Sequence, residues 1–157
     1  MNATHHIPSA SASGSYILVL VAEVEKIVPI GAKGLLKVPP GSYYYCGSAF
    51  GPGGLRARVG RHARPVKVHR WHIDYLRHQL AVREVWISRD GINQEHTWAS
   101  LLNKAHRSNI PMLGFGSSDC HCSAHLFHFK KPLQFETFRK WTRSSGTEHL
   151  EILRPFS

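Results

Sequence analysis

Arg58 and His62 lie four positions apart in the run Leu55 to Arg64 (LRARVGRHAR), a spacing that puts both side chains on one face of a helix. Arginine presents a planar, permanently charged fork that matches the oxygens of a phosphate. In phosphoryl transfer such a group stabilises the charge that develops in the transition state. The same pair, taken alone, also fits a solvated helical face. Tyrosines form a second group of candidates. In Ser42 to Ser48 (SYYYCGS), an extended backbone would send Tyr43 and Tyr45 to one side and Tyr44 to the other, while Tyr16 enters an earlier aliphatic run. A phenol, with a reference pKa of about 10, is a poor base unless a cation such as Arg58, or a metal ion, lowers it. The ordinary fate of a strand tyrosine is a core position with its hydroxyl satisfied.

A third group is the loop Asp119 to His125 (DCHCSAH). Zinc would accept Cys120, Cys122 and His125, with Cys46 or another histidine completing a tetrahedron. Cys-x-Cys is less diagnostic than Cys-x-x-Cys, and the sequence has no second pair. Small buried thiols and a loop-fixing Asp119 explain the same residues, so structural zinc is the less favoured reading.

The elements that must position these groups follow from the pattern. Met1 to Ser13 is rich in Ser, Ala and His and reads as a disordered leader. Ser15 to Val24 (SYILVLVAEV) is β-branched and aliphatic, as in a strand buried on both faces. Turns around Gly31 and Gly34 flank a short strand, Leu35 to Val38, and Pro39-Pro40-Gly41 precedes the tyrosine strand. Two nearby strands joined by tight turns suggest an antiparallel meander. A Gly-rich loop, Gly51 to Gly54, opens the Arg58 helix, which Pro65 ends; a second helix is expected over His69 to Gln79. Val82 to Ser88 alternates like a strand, Asn93 could cap a helix from Gln94 to about His106, and His125 to Phe129 is strand-like. Pro132 opens a last helix through Trp141, and Glu148 to Leu153 fits an edge strand. The expectation is one α+β domain over residues 14–157, a central mainly antiparallel sheet flanked by helices, with a C-terminal Cys/His-containing extension.

Gly14-Ser15-Tyr16, Tyr45-Cys46-Gly47 and Leu55-x-x-Arg58-x-x-x-His62 occur in that order. Together they resemble the GIY-YIG nuclease superfamily, whose name records the first two motifs. Three further runs, Tyr43 to Ala49 (YYYCGSA), Trp71 to Leu76 (WHIDYL) and Gly114 to Leu126 (GFGSSDCHCSAHL), are similar to the Uri-type DUF123 subfamily, a domain also found fused to endonuclease III-like proteins. The match covers nearly everything after Ser13. Ser15 and Cys46 stand where aliphatic residues are usual, and the long gap between Tyr16 and Tyr45 implies an inserted hairpin.

The resemblance implies an endonuclease that hydrolyses phosphodiester bonds with a divalent ion. Tyr16 would orient or deprotonate the attacking water with His62 in the proton relay, which leaves open which of the two is the base, and Tyr45 would hydrogen-bond the scissile phosphate. The family also needs a carboxylate on a later helix, and Glu95 is the choice. It lies three residues before Trp98, on the inward stripe formed with Leu101, Leu102 and Ala105. A carboxylate there needs a partner, and one carboxylate plus waters suits Mg²⁺, or Mn²⁺ in its place. Acidic residues also favour a helix's first turn, and Glu84 and Asp74 compete for the role. His72 could assist the site.

Twenty Lys and Arg against ten Asp and Glu give the 157-residue chain a net charge of +10. That surplus gathers polyanions by long-range attraction and counterion release, and Arg56, Arg61, Arg64, Lys67 and Arg70 are the expected nucleic-acid contacts. DNA is the leading expectation as substrate, structure- or single-strand-selective with weak sequence preference, and an RNA nuclease is the close alternative, with no feature of the sequence separating the two. A non-catalytic nucleic-acid-binding module is the rival from another class, and a zinc-stabilised adaptor a weaker third. No apolar run reaches the ~20 residues of a membrane span, and three cysteines form no even disulfide framework. Both point to a soluble cytoplasmic protein without a membrane role, with a protein partner for targeting compatible with its size and the oligomeric state open.

Overall fold

In a computed structural model, residues 12–64, 68–118 and 120–153 are described. Most of the expected leader, Pro65 to Lys67 and Asp119 lie outside them.

The strands are β1 (Gly14–Ala22), β2 (Lys26–Pro29), β3 (Leu35–Val38), β4 (Gly41–Ala49), β5 (Val82–Ser88), β6 (Leu126–Phe129) and β7 (Glu151–Leu153). The helices are α1 (Gly54–Ala63), α2 (His72–Gln79), α3 (Glu95–Lys104) and α4 (Phe135–Ser144). Five strands form one sheet in the order β6-β4-β1-β5-β7, every pairing antiparallel. β2 and β3 make a separate hairpin in the long gap between Tyr16 and Tyr45. β6 and β7 belong to the main sheet, so the Cys/His segment before them is built into the fold and is not appended to it.

The central strand β1 is buried along nearly its whole length, as its unbroken aliphatic run requires. Alternation along it separates two cores. Tyr16, Leu18 and Leu20, with Tyr43 and Tyr45 of β4, pack against Leu55 and Val59 of α1 and Ile73 and Leu76 of α2. Ile17 and Val19, with Tyr44 and Cys46, pack on the opposite side against Trp98 and Leu102 of α3 and Phe138 of α4. The sheet is thus a partition between two helical layers.

Several boundaries move for identifiable reasons. α1 stops at Ala63, and Arg64 turns extended (φ −130°, ψ 152°) because the next residue is proline, which disfavours helical geometry before it. α2 begins at His72 rather than His69, since the buried Asp74 carboxylate accepts the N–H groups of Arg70 and Trp71 and fixes the helix start there. Asn93 acts as a side-chain acceptor for the Glu95 N–H at 3.0 Å. β5 does not alternate between buried and exposed as expected; beyond Glu84 it is buried on both sides, because Val85 and Ile87 face one core and Trp86 the other. Among the described residues no helix is long and apolar enough to cross a membrane.

Candidate active site

The end of β4 is where the two layers meet. Tyr16 of β1 stands opposite Gly47 of β4, and a Cβ at position 47 would collide with the Tyr16 ring. Glycine is required there so that the ring can lie across the strand. Ser48, one residue on, faces the other layer. Its backbone carbonyl accepts a hydrogen bond from Arg58 of α1 at 3.0 Å, and its hydroxyl donates to Glu95 Oε1 at 2.8 Å.

In the first layer the Tyr16 hydroxyl lies 2.8 Å from His62 Nε2. His62 is 2 % exposed, and its pKa is lowered to about 3, first by burial and then by the positive charges of Arg58, Arg61 and Arg77, against the opposing charge of Asp74. The imidazole is therefore neutral at neutral pH. Burial also raises the Tyr16 pKa, and the nearby Arg58 charge only partly offsets this. Arg58 acts on Tyr16 in the expected direction, but for a phenol enclosed by the core desolvation outweighs the cation. Tyr16 thus keeps its proton, and a neutral phenol faces a neutral imidazole, with the direction of the hydrogen bond set by the tautomer of His62. Among the described residues no hydrogen-bond partner reaches the buried Nδ1 of His62.

Arg58 stands over the Trp71 ring, 4.5 Å from its centre, and Arg61 over the same ring at 4.6 Å, both within cation–π range. Arg61 is occupied otherwise than expected: it pairs with Asp74 at 2.6 Å. Burial alone would raise the Asp74 pKa, but the N–H groups of Trp71 and Arg70 and the Arg61 guanidinium outweigh it and hold the carboxyl below its usual range. Arg77 of α2 donates to the carbonyls of His62 and Ala63, closing the C-terminus of α1 and fixing the turn that carries His62.

Tyr45 borders a cleft of about 190 Å³ together with Arg70, Trp71, His72, Gly116 and Ser118. Burial keeps its phenol protonated, well above the ordinary value, so it enters the cleft as a hydrogen-bond donor. His72 accepts the Gly116 N–H at Nδ1, 2.9 Å away; burial and then the Lys33 charge lower its pKa. A neutral ring with one nitrogen already engaged suits it to shaping the cleft wall.

Across the sheet, Glu95 opens α3. Beyond its contact with Ser48, its Oε2 lies 2.7 Å from His125 Nδ1. That contact is short in distance but not aligned as an ideal hydrogen bond, so it is treated as electrostatic. Burial would raise the Glu95 pKa, but His125, Ser48 and His96 outweigh it and hold the carboxylate ionised. Its charge acts on both Tyr16 and Tyr45. The competing acids are engaged elsewhere: Asp74 with Arg61 and the start of α2, and Glu84 with the Trp86 indole at 2.8 Å.

Four elements, β1, β4, α1 and α3, therefore bring Tyr16, Tyr45, Arg58, His62 and Glu95 to one end of the sheet. Arg56, Arg64 and Arg70 are exposed around α1 and its exit, and Lys67 lies outside the described residues. Sequence reasoning missed Ser48 and Trp71, which position Arg58, and named His125 only as a zinc ligand and not for its contact with Glu95. It also missed His96, whose Nδ1 lies 3.2 Å from Cys122 Sγ. Trp71 sits in a run singled out for its neighbours; His96 carries no local signal, because its partners lie on a distant loop. The buried Cys46 faces the second core and is not part of the cluster formed by His96, Cys120, Cys122 and His125.

No curated protein and no solved structure matches the chain. A family model described as Domain of unknown function DUF123 matches residues 15–146, which include every side chain of the site just described, and the chain belongs to that family.

Proposed function

We propose that the protein is a metal-dependent endonuclease of the GIY-YIG type, hydrolysing phosphodiester bonds in DNA that is single-stranded or branched. The observation that carries this reading is the Tyr16–His62 contact of 2.8 Å beneath Arg58, with Tyr45 on the same sheet face and an ionised Glu95 at the strand end. Arg58 supplies a permanent cation for the charge that grows on the phosphate oxygens. Tyr45, kept protonated by burial, donates a hydrogen bond to the same phosphate. Tyr16 and the neutral His62 form a two-member path for the proton of the attacking water. The exposed Arg56, Arg64 and Arg70 hold the flanking backbone without reading sequence.

Glu95 fits as holder of the divalent ion: it is a single ionised carboxylate, its side chain 17 % exposed, with lone pairs left on both oxygens beyond the contacts to Ser48 and His125. A hard ion bound there would polarise the phosphate and stabilise the departing oxygen. Arg58 and Tyr45 then orient the phosphate for in-line attack, while the walls formed by Trp71 and His72 limit water.

The test is cleavage of labelled single-stranded, duplex and branched DNA and RNA with Mg²⁺, Mn²⁺ or EDTA. Metal-dependent cleavage should fall by roughly 10²–10³-fold in Arg58→Ala, the loss typical of a missing transition-state donor, and vanish in Glu95→Ala. Tight binding without cleavage on every substrate and metal refutes the enzyme and favours a binding module.

A further inference from the structure

We propose that His96, Cys120, Cys122 and His125 form a zinc site, separate from the divalent-ion position at Glu95, and that it fastens the Gly114–His125 loop to α3. His96 comes from the first turn of α3 and the other three from the loop, yet their ligand atoms all lie within 4.8 Å of one another. His96 Nδ1 is 3.2 Å from Cys122 Sγ, and Cys120 Sγ is 3.5 Å from His125 Nε2. Zinc bonds of about 2.3 Å to sulfur and 2.0 Å to nitrogen make the edges of a tetrahedron about 3.3–3.8 Å long. Two contacts therefore already stand close to that length, and the widest separation needs only about an ångström of closure.

The donor set is two thiols and two imidazoles, the combination that selects zinc over magnesium or calcium. The nitrogens are suitably assigned as well. His125 turns Nε2 toward Cys120 and Nδ1 toward Glu95, so the nitrogen opposite the ion faces a carboxylate, the usual companion of a metal-bound histidine. The loop has need of such an anchor. Its described residues between Gly114 and His125 form no helix or strand, and their internal backbone contacts are few, among them Gly114 N to Ser123 O and Cys120 N to Ser117 O. Four protein ligands leave no position for substrate, so the site is structural. Ser118, next to the cluster at the mouth of a hollow of about 800 Å³, also lines the Tyr45 cleft, so an anchored loop supports the cleft wall. Zinc also orients Glu95 through His125; this last link rests on the nuclease reading, whereas the ion site does not.

The test is a Co²⁺ titration of the full-length, chelator-stripped chain under reducing, oxygen-free conditions. One tightly bound Co²⁺ per chain is expected, with the intense visible bands of tetrahedral cobalt, a near-ultraviolet thiolate charge-transfer band, and displacement by one equivalent of Zn²⁺. Cys120→Ser and Cys122→Ser should each weaken the thiolate band, while Cys46→Ser and His121→Ala leave it intact. Wild-type protein giving only the weak bands of six-coordinate cobalt, or less than about a tenth of an ion per chain, overturns the site; so does a full thiolate band in both serine variants. The wild-type spectrum decides the question even where the variants do not fold. Because it reads no cleavage, a failed titration and a failed nuclease assay are separate results.

Discussion

Acidification offers a quantitative test of the buried imidazole. His62 has its folded pKa lowered from 6.5 to about 3, so between those values the unfolded chain binds a proton that the folded chain refuses. Stability from this group is complete above the unfolded value and is lost as pH falls below it. At pH 5 the loss relative to pH 8 is RT ln(1 + 10^1.5), about 2 kcal/mol. The folded value hardly affects that figure, provided it stays below about 4. His72, also lowered, adds in the same direction, whereas Asp74 and Glu95, whose pKa values are lowered, lose stability mainly at still lower pH. Urea unfolding of wild type and His62→Gln across this range isolates the contribution, since the other groups cancel in the difference. Wild type should lose about 2 kcal/mol more than the variant on going from pH 8 to 5. A difference under about 0.5 kcal/mol, beyond the error of extrapolation, refutes the reasoning. So does an NMR titration in which the His62 ring protonates in the native state within that window, a measurement that needs no variant.

The remaining predictions concern the same end of the sheet. Tyr16→Phe removes the hydroxyl that satisfies His62 Nε2 and should cost about 1–3 kcal/mol by chemical denaturation; on the nuclease reading, cleavage also falls while DNA binding holds, and a variant with full activity removes Tyr16 from the mechanism. Gly47→Ala drives a methyl into the Tyr16 ring and should cost about 1–3 kcal/mol, visible as a lowered urea midpoint, with an unchanged midpoint contradicting the packing described. Asp74→Ala strands Arg61 and releases the start of α2, for a loss of about 3 kcal/mol, and hydrogen exchange should rise first at Arg70 to Asp74. Stripping zinc should reduce Mg²⁺-dependent cleavage without abolishing DNA binding, and restored zinc should return it; cleavage indifferent to zinc breaks the proposed link through His125.

The fold was legible where pattern and burial coincide. The unbroken apolar run of β1, the opposite facing of Tyr44 from Tyr43 and Tyr45, and the four-residue step from Arg58 to His62 each follow from local periodicity, and the structure realises all three. The site was less legible, because its controlling interactions join distant segments. Arg61 looked like a phosphate contact, but Asp74, across the exit from α1, holds it. Arg58 lowers the Tyr16 pKa as its charge implies, yet the enclosure that outweighs it comes from residues packed on several elements. The gathering of His96 with Cys120 and Cys122 depends on how a loop without regular structure folds back on α3, which no periodicity encodes.

The strand end at Gly47 and Ser48 has a consequence for how such a site can vary. Neighbouring residues of a strand serve opposite faces, so this dipeptide joins the layer that holds Tyr16 and His62 to the layer that holds Glu95. A substitution in either layer must therefore preserve the small residue and the hydroxyl here, and it is felt in the other layer through the Glu95 charge on Tyr16 and Tyr45 and the His72–Gly116 contact.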